Sequence, residues 1–172
     1  TGARTDEFDH PRGGENETYR YTGGAGIKLS FLNRILYAIE EKEPKILISS
    51  LIDSNSKIIR KRNIVDRVRT IAPFLHYDED PYIVLADNQV YWMMDGYTTT
   101  DKYPNARTYG GINYITTSVK VTINAYTGAV NFYLAAENDP IAITYNKIFG
   151  DLFKDLHELP KVLRDHINYP ED

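Results

Sequence analysis

The densest group of potential ligand atoms in the sequence is His76, Asp78 and Asp80, with Glu79 between the two aspartates. Oxygen donors at alternate positions can converge on a hard cation such as calcium. The stretch lacks the glycine and distal bidentate glutamate of an EF-hand loop, and a solvated acidic turn before Pro81 accounts for the same residues. A second candidate is the pair Asp95 and Asp101, two carboxylates of the kind that hydrolyse glycosidic bonds when held at the right separation. Around them lie Trp92, Tyr97, Tyr103, Tyr109 and Tyr114, with Thr98, Thr99 and Asn105 supplying polar groups. Aromatic platforms beside hydrogen-bonding side chains suit a glycan or an extended peptide. Rings that merely pin a loop to a sheet have the same composition. Finally, Lys57, Arg60, Lys61, Arg62, Arg67 and Arg69 face the lone Asp66 over thirteen positions. Such a run either meets anionic lipid headgroups, at roughly 1 kcal/mol for each basic residue, or is a solvated helix face paired with the protein's own carboxylates.

Other chemistries are excluded by residue type or spacing. Cysteine is absent, which removes disulfides, thiolate ligands and cysteine nucleophiles. His10, His157 and His166 show no zinc spacing and no plausible nucleophile to serve. There is no Walker loop and no G-x-S-x-G elbow, and the glycines at 23–26 follow no predicted strand, so a dinucleotide site fails on context. With 20 basic and 24 acidic residues the net charge is −4, which gives no overall field for nucleic acid.

These residues need a scaffold, and 172 residues with 42% apolar and 26% charged side chains suffice for one. Residues 1–26 are polar and glycine-rich without periodicity, and read as a mobile arm or wrapped loop. Leu29, Leu32, Ile35, Leu36 and Ile39 recur at three- and four-residue steps, with Ser30 to cap and Pro44 to stop a helix at about 30–41. Lys45–Ile52 fits helix or strand equally. Ile64, Val65, Val68, Ile71 and Ala72 predict a helix at about 63–72. Period-two alternation then predicts hairpins at about 82–94, turning at Asp87-Asn88, and at about 117–135, turning at Tyr126-Thr127-Gly128. Asp95–Tyr114 between them reads as a long loop, a length usually reserved for function. Asp139-Pro140 opens a helix at about 140–149, and another follows at about 160–167. The expected fold is α+β, an antiparallel sheet of two hairpins packed with these helices, as a single domain over 27–172.

Several of these stretches resemble one family. The runs at 23–32 (Gly-Gly-Ala-Gly-Ile-Lys-Leu-Ser-Phe-Leu), 67–75 and 80–84 do so. So do Trp92, Asp95-Gly96-Tyr97-Thr98-Thr99, Tyr103-Pro104, Asn113-Tyr114-Ile115, Ser118-Val119-Lys120, Asn124-Ala125-Tyr126-Thr127-Gly128, Asp139-Pro140-Ile141 and Tyr169-Pro170-Glu171-Asp172. Their order and spacing are similar to the large multi-pass bacterial membrane proteins of uncharacterised protein family UPF0182. The resemblance implies a slice of the soluble region that follows the membrane helices, located outside the cytoplasm at the cell membrane. The start at Thr1 rather than Met fits the same expectation. The longest mainly apolar stretch, Ile46–Ile52, falls far short of the ~20 residues of a membrane helix. The family brings no reaction, no cofactor and no catalytic residue. Val121–Tyr133 is also similar to the closing hairpin of PepSY-type domains.

The expected function is therefore a ligand- or partner-binding module, with Trp92, Asp95, Tyr97, Thr98, Thr99, Asp101, Tyr103, Tyr109 and Tyr114 as its contact surface. The expected partners are the protein's own membrane-spanning region and an envelope glycan, peptide or anionic lipid. The alternatives are a hydrolase of envelope polymers and a structural spacer.

Overall fold

Gly13 and Gly14, both at positive φ (59° and 95°), make a two-residue turn that brings β1 (Glu7–Arg12) antiparallel to β2 (Glu15–Tyr19). A hairpin therefore stands where an irregular arm was expected. Its strands are polar on both faces, and Phe8 and Tyr19 are exposed, so no alternation betrays it. The computed structural model describes residues 2–3, 6–150 and 152–167, which leaves the motif at 169–172 outside the described residues.

The chain organises as two compact units, Thr1–Arg60 and Lys61–Asp172. The division falls inside the basic run, where Lys61 takes a positive φ of 51°. In the first unit, β3 (Ile27–Lys28) pairs antiparallel with β4 (Lys57–Ile58), framing helices α1 (Phe31–Glu40) and α2 (Lys45–Ile48). Ser30 Oγ accepts the Asn33 N–H to cap α1, as expected. The ambiguous run after Pro44 resolves as the short helix α2. Tyr37 and Ala38 are the buried residues of α1, while Leu32, Leu36 and Ile39 of its apolar stripe are exposed.

In the second unit, Asn63 caps α3 (Ile64–Ile71) by accepting the Val65 and Asp66 N–H groups. Strands β5 (His76–Tyr77), β6 (Tyr82–Ala86), β7 (Gln89–Thr100), β8 (Tyr114–Asn124) and β9 (Val130–Leu134) follow. Then come α4 (Pro140–Ile148), β10 (Phe153–Asp155), a 3-10 turn at Leu156–Glu158 and α5 (Lys161–Arg164). The sheet order is β10-β9-β8-β7, with β5 and β6 sharing the far side of β7. The α+β class is observed. The sheet is mixed, since α4 carries the chain over to a parallel β10.

The expected hairpins are present, turning at Asp87 and Asn88 (φ 49° and 62°) and at Gly128 (φ 71°). The long loop is shorter than expected. β7 runs on to Thr100 and β8 begins at Tyr114, so the two hairpins fuse and only residues 101–113 connect them. α5 ends at Arg164, short of the expected 167.

Both sheet faces are covered. On one, Val68 of α3 and Ala72 just after it join Met94, Val119, Val121, Ile123, Phe132 and Phe153. On the other, Val84, Ala86, Met93 and Tyr133 meet Leu159 and Leu163. Each such fully buried aliphatic or aromatic side chain is worth about 1.5–3 kcal/mol over its exposed state.

Candidate functional site

One irregularity in the β7–β8 ladder builds the most organised polar centre of the protein. Gly96 pairs with Val119 and Tyr97 with Thr117, which leaves Ser118 as an extra, bulged residue. The bulge turns the Ser118 hydroxyl onto the carboxylate of Asp139, donating to Oδ2 at 2.5 Å. Thr98 Oγ1, from the neighbouring strand, donates to the same oxygen at 2.5 Å and lies 3.0 Å from Ser118 Oγ. Tyr114 OH donates to Oδ1 at 2.9 Å. The Ile141 and Ala142 N–H groups at the start of α4 complete the set at 3.1 and 3.3 Å.

Asp139 is only 3% exposed. Burial pushes its carboxyl up, but the hydrogen bonds from Ser118, Thr98, Tyr114 and Ile141 outweigh it and hold the group below the usual carboxylate range. Asp139 is thus an anion anchored by five donors. It fixes α4, β7 and β8 to one another.

An open groove of about 500 Å³ lies against this anchor, lined by Tyr114, Thr116 and residues 135–139. Glu137 and Asn138 in its wall are exposed. Beside it, the Tyr103 ring stacks on Tyr114 with centroids 4.7 Å apart and planes 11° from parallel. Asn113 holds that stack in place. Its side chain accepts the Tyr103 N–H and donates to the Tyr103 and Ala106 carbonyls. Farther out, Tyr109 and Ile112 bridge around Gly110-Gly111, and the Tyr109 ring is 89% exposed.

The other face carries a buried ion pair. Asp95 and Lys120 are directly opposite on β7 and β8, and Lys120 Nζ lies 2.5 Å from Asp95 Oδ1. Burial raises the Asp95 pKa, the hydrogen bond and charge of Lys120 oppose the rise, Asp78 adds to it, and the net effect is upward.

The nine expected surface residues are therefore divided. Because side chains alternate along a strand, Asp95, Tyr97 and Thr99 point to the face opposite Trp92 and Thr98. Trp92 packs on the core beside α3, and Thr98 is buried under Asp139. Tyr103, Tyr109 and Tyr114 lie along the 101–113 connection and its end, with Asp101 exposed at its start. Asp95 and Asp101, six residues apart along extended chain, are separated by roughly 20 Å, too far for the ~5–9.5 Å of a glycosidase pair. Asp95 is also held by Lys120.

The basic run disperses likewise. Lys57 donates to the Gly23 carbonyl and Arg60 pairs with Glu40 and Glu41. Arg67 donates to the Lys61 and Gly128 carbonyls, Arg69 reaches Glu79, and Lys61 and Arg62 are exposed. His76 is exposed on β5, Asp78 accepts the Asp80 N–H, and among the described residues no three His, Asp or Glu side chains converge as metal ligands.

Sequence reasoning reads Asp139 as a helix cap and misses the rest of its role. Ser118 appears there only within a family motif and Thr116 not at all, since nothing in an alternating strand marks which residue bulges, and Glu137 and Asn138 lie in a connection that carries no pattern.

The family model described as Uncharacterised protein family (UPF0182) matches residues 1–172. The chain belongs to this family. It is 51% identical over 166 residues to a UPF0182 protein of Clostridium acetobutylicum, covering 96% of this chain and 18% of that protein. A UPF0182 protein of Clostridium perfringens is 53% identical with the same coverage, and one of Clostridium tetani is 48% identical over 96% of this chain and 19% of its own length. The chain thus spans about 18% of the length of the curated UPF0182 relatives it matches. No solved structure matches it. Among the described residues no helix is long and apolar enough to cross a membrane.

Proposed function

We propose that this UPF0182 chain is a binding module of a larger membrane protein, lies outside the cytoplasm, and takes an envelope glycan or an extended peptide in the groove beside Tyr114. The observation that carries this reading is the Tyr103–Tyr114 stack set against a groove whose floor is fixed by the five-donor Asp139 anchor. A flat aromatic pair with adjacent amide and carboxylate groups offers a sugar ring or peptide backbone both a stacking surface and hydrogen-bond partners. Asn138 and Glu137 supply those groups here. The anchor keeps the site preorganised, which lowers the ordering cost of binding.

The length of the relatives supports membership in a larger assembly, since most of their chain lies beyond the segment matched here. The test is an NMR titration of the 172-residue chain with soluble cell-wall glycan fragments and with short extended peptides. Shifts concentrated at Tyr103, Tyr114, Thr116 and Asn138, weakened by Asn138→Ala, are expected. Uniformly unchanged spectra at millimolar ligand defeat the reading.

A further inference from the structure

The first unit buries its large side chains the wrong way round. Among its described residues, the buried apolar side chains are Leu29, Tyr37 and Ala38. Exposed between residues 27 and 51 are Ile27, Phe31, Leu32, Leu36, Ile39, Leu47, Ile48 and Leu51, with Phe31 at 78%, Ile39 at 71% and Ile48 at 83%. Leu32, Leu36 and Ile39 fall at i, i+4 and i+7 of α1, a continuous stripe along one side of the helix. The inward side of α1 is fixed by polar bonds instead. Arg34 donates to the Leu29 and Ile52 carbonyls, and Asn33 donates to the Lys28 carbonyl. The stripe therefore cannot roll inward without breaking them. Isolated exposed aliphatic residues need no explanation, but a concentration of eight within the twenty-five residues 27–51 marks a contact surface.

Charge identifies the occupant. Lys28 precedes α1, Lys42 lies between the helices and Lys45 opens α2, and all three are exposed. The nearby carboxylates Glu40 and Glu41 are engaged by Arg60 at 2.8 and 3.3 Å, and Glu43 is exposed. A stripe of Phe, Leu and Ile bordered by lysines is the pattern of a helix lying in the headgroup region of a bilayer, its apolar side sunk ~5–10 Å. At ten residues α1 is about 15 Å long, enough to lie on the surface and too short to span. We propose that α1 and α2 dock the first unit onto an anionic phospholipid surface, with Phe31, Leu32, Leu36 and Ile39 inserted and Lys28, Lys42 and Lys45 at the phosphates. This contact is independent of the groove beside Tyr114 and uses none of its residues.

The experiment is co-sedimentation of the 172-residue chain with vesicles of phosphatidylcholine alone and of equal parts phosphatidylcholine and phosphatidylglycerol, at low and high salt. Light scattering without lipid runs in parallel. The chain is expected to pellet with the mixed vesicles at low salt and less at high salt. The double variant Leu36→Glu/Ile39→Glu is expected to lose roughly tenfold or more of its partitioning, the least that withdrawing two large aliphatic side chains from lipid implies. Lys42→Glu/Lys45→Glu, which leaves the apolar stripe intact, is expected to lose the preference for phosphatidylglycerol, and it decides the matter if circular dichroism shows the first variant unfolded. The proposal is overturned if the parent chain stays in the supernatant with mixed vesicles. It is equally overturned if folded glutamate variants pellet like the parent, or if the parent is a stable dimer that Leu36→Glu/Ile39→Glu disperses, which would make the occupant a second copy.

Discussion

Replacing Asp139 tests whether one carboxylate holds the sheet to α4. Asp139→Ala removes the cap from α4, a loss of about 1 kcal/mol. It also strands the hydroxyls of Thr98 and Ser118 in a buried site. At 3.0 Å those two can bond each other, and Ser118 can turn to the Thr116 carbonyl 3.3 Å away, so about one hydroxyl's worth of satisfaction is lost, a further ~1–3 kcal/mol. Tyr114 is half-buried and can find water. The expected total is about 2–4 kcal/mol. Asp139→Asn keeps the shape and one carbonyl oxygen, so the amide nitrogen must face either the Ile141 or the Ala142 N–H, and a cost of about 1–2 kcal/mol follows.

Urea denaturation followed by Trp92 fluorescence suits the measurement, because the single Trp sits on β7 within the same unit. The pH dependence supplies a second reading. The folded-state pKa of Asp139 is lowered, so its contribution is complete above the unfolded value near ~3.9 and is lost as pH falls through the folded value. The stability gap between the parent and Asp139→Asn should therefore narrow below about pH 4. Equal stabilities of parent, Asn and Ala variants at neutral pH, or a gap that widens in acid, would refute the reasoning.

Lys120→Met should cost about 3–5 kcal/mol by leaving the Asp95 carboxyl buried without its partner, and adding Asp95→Leu should restore most of it. Denaturation midpoints of the two variants check this, and a double variant no better than the single one contradicts the assigned pair. Gly128→Ala should lose about 1–2 kcal/mol, since Gly128 sits at φ 71° and its added Cβ meets the Arg67 guanidinium. A neutral thermal shift at that position would count against the turn geometry.

Elements with an internal signature were legible from residues alone. α3 and α4 declare themselves by stripe and cap, with Asn63 and Asp139 both accepting the N–H groups their positions imply. Asp87-Asn88 and Gly128 mark their turns because few residues tolerate those angles. The short strands β3, β4, β5 and β10 carry no such mark, since two or three residues become a strand only through a partner distant in sequence. The polar stretch at 95–100 and Tyr114 looked like loop because their ladder partners lie across a long connection and the acceptor of Thr98 and Tyr114, Asp139, lies far along the chain. Periodicity in α1 told which side chains share a side but not that the side faces outward, a property of what the helix is tied to rather than of its own pattern. For the candidate site, the aromatic residues were visible in the sequence, while the anchor that organises them depends on a bulge.

The arrangement of strand lengths in the second unit bears on self-association through sheet edges. Its two long strands, β7 and β8, are interior, and the outer side of β7 is divided between the five residues of β6 and the two of β5. The opposite margin is the three-residue β10. Among the described residues of this sheet an intruding chain finds no long, flat row of free amides to extend, which is the usual route from a folded sheet to fibrillar aggregates. Deleting β5 or β6 would uncover part of a twelve-residue template and turn an edge-protected sheet into a nucleus for self-assembly.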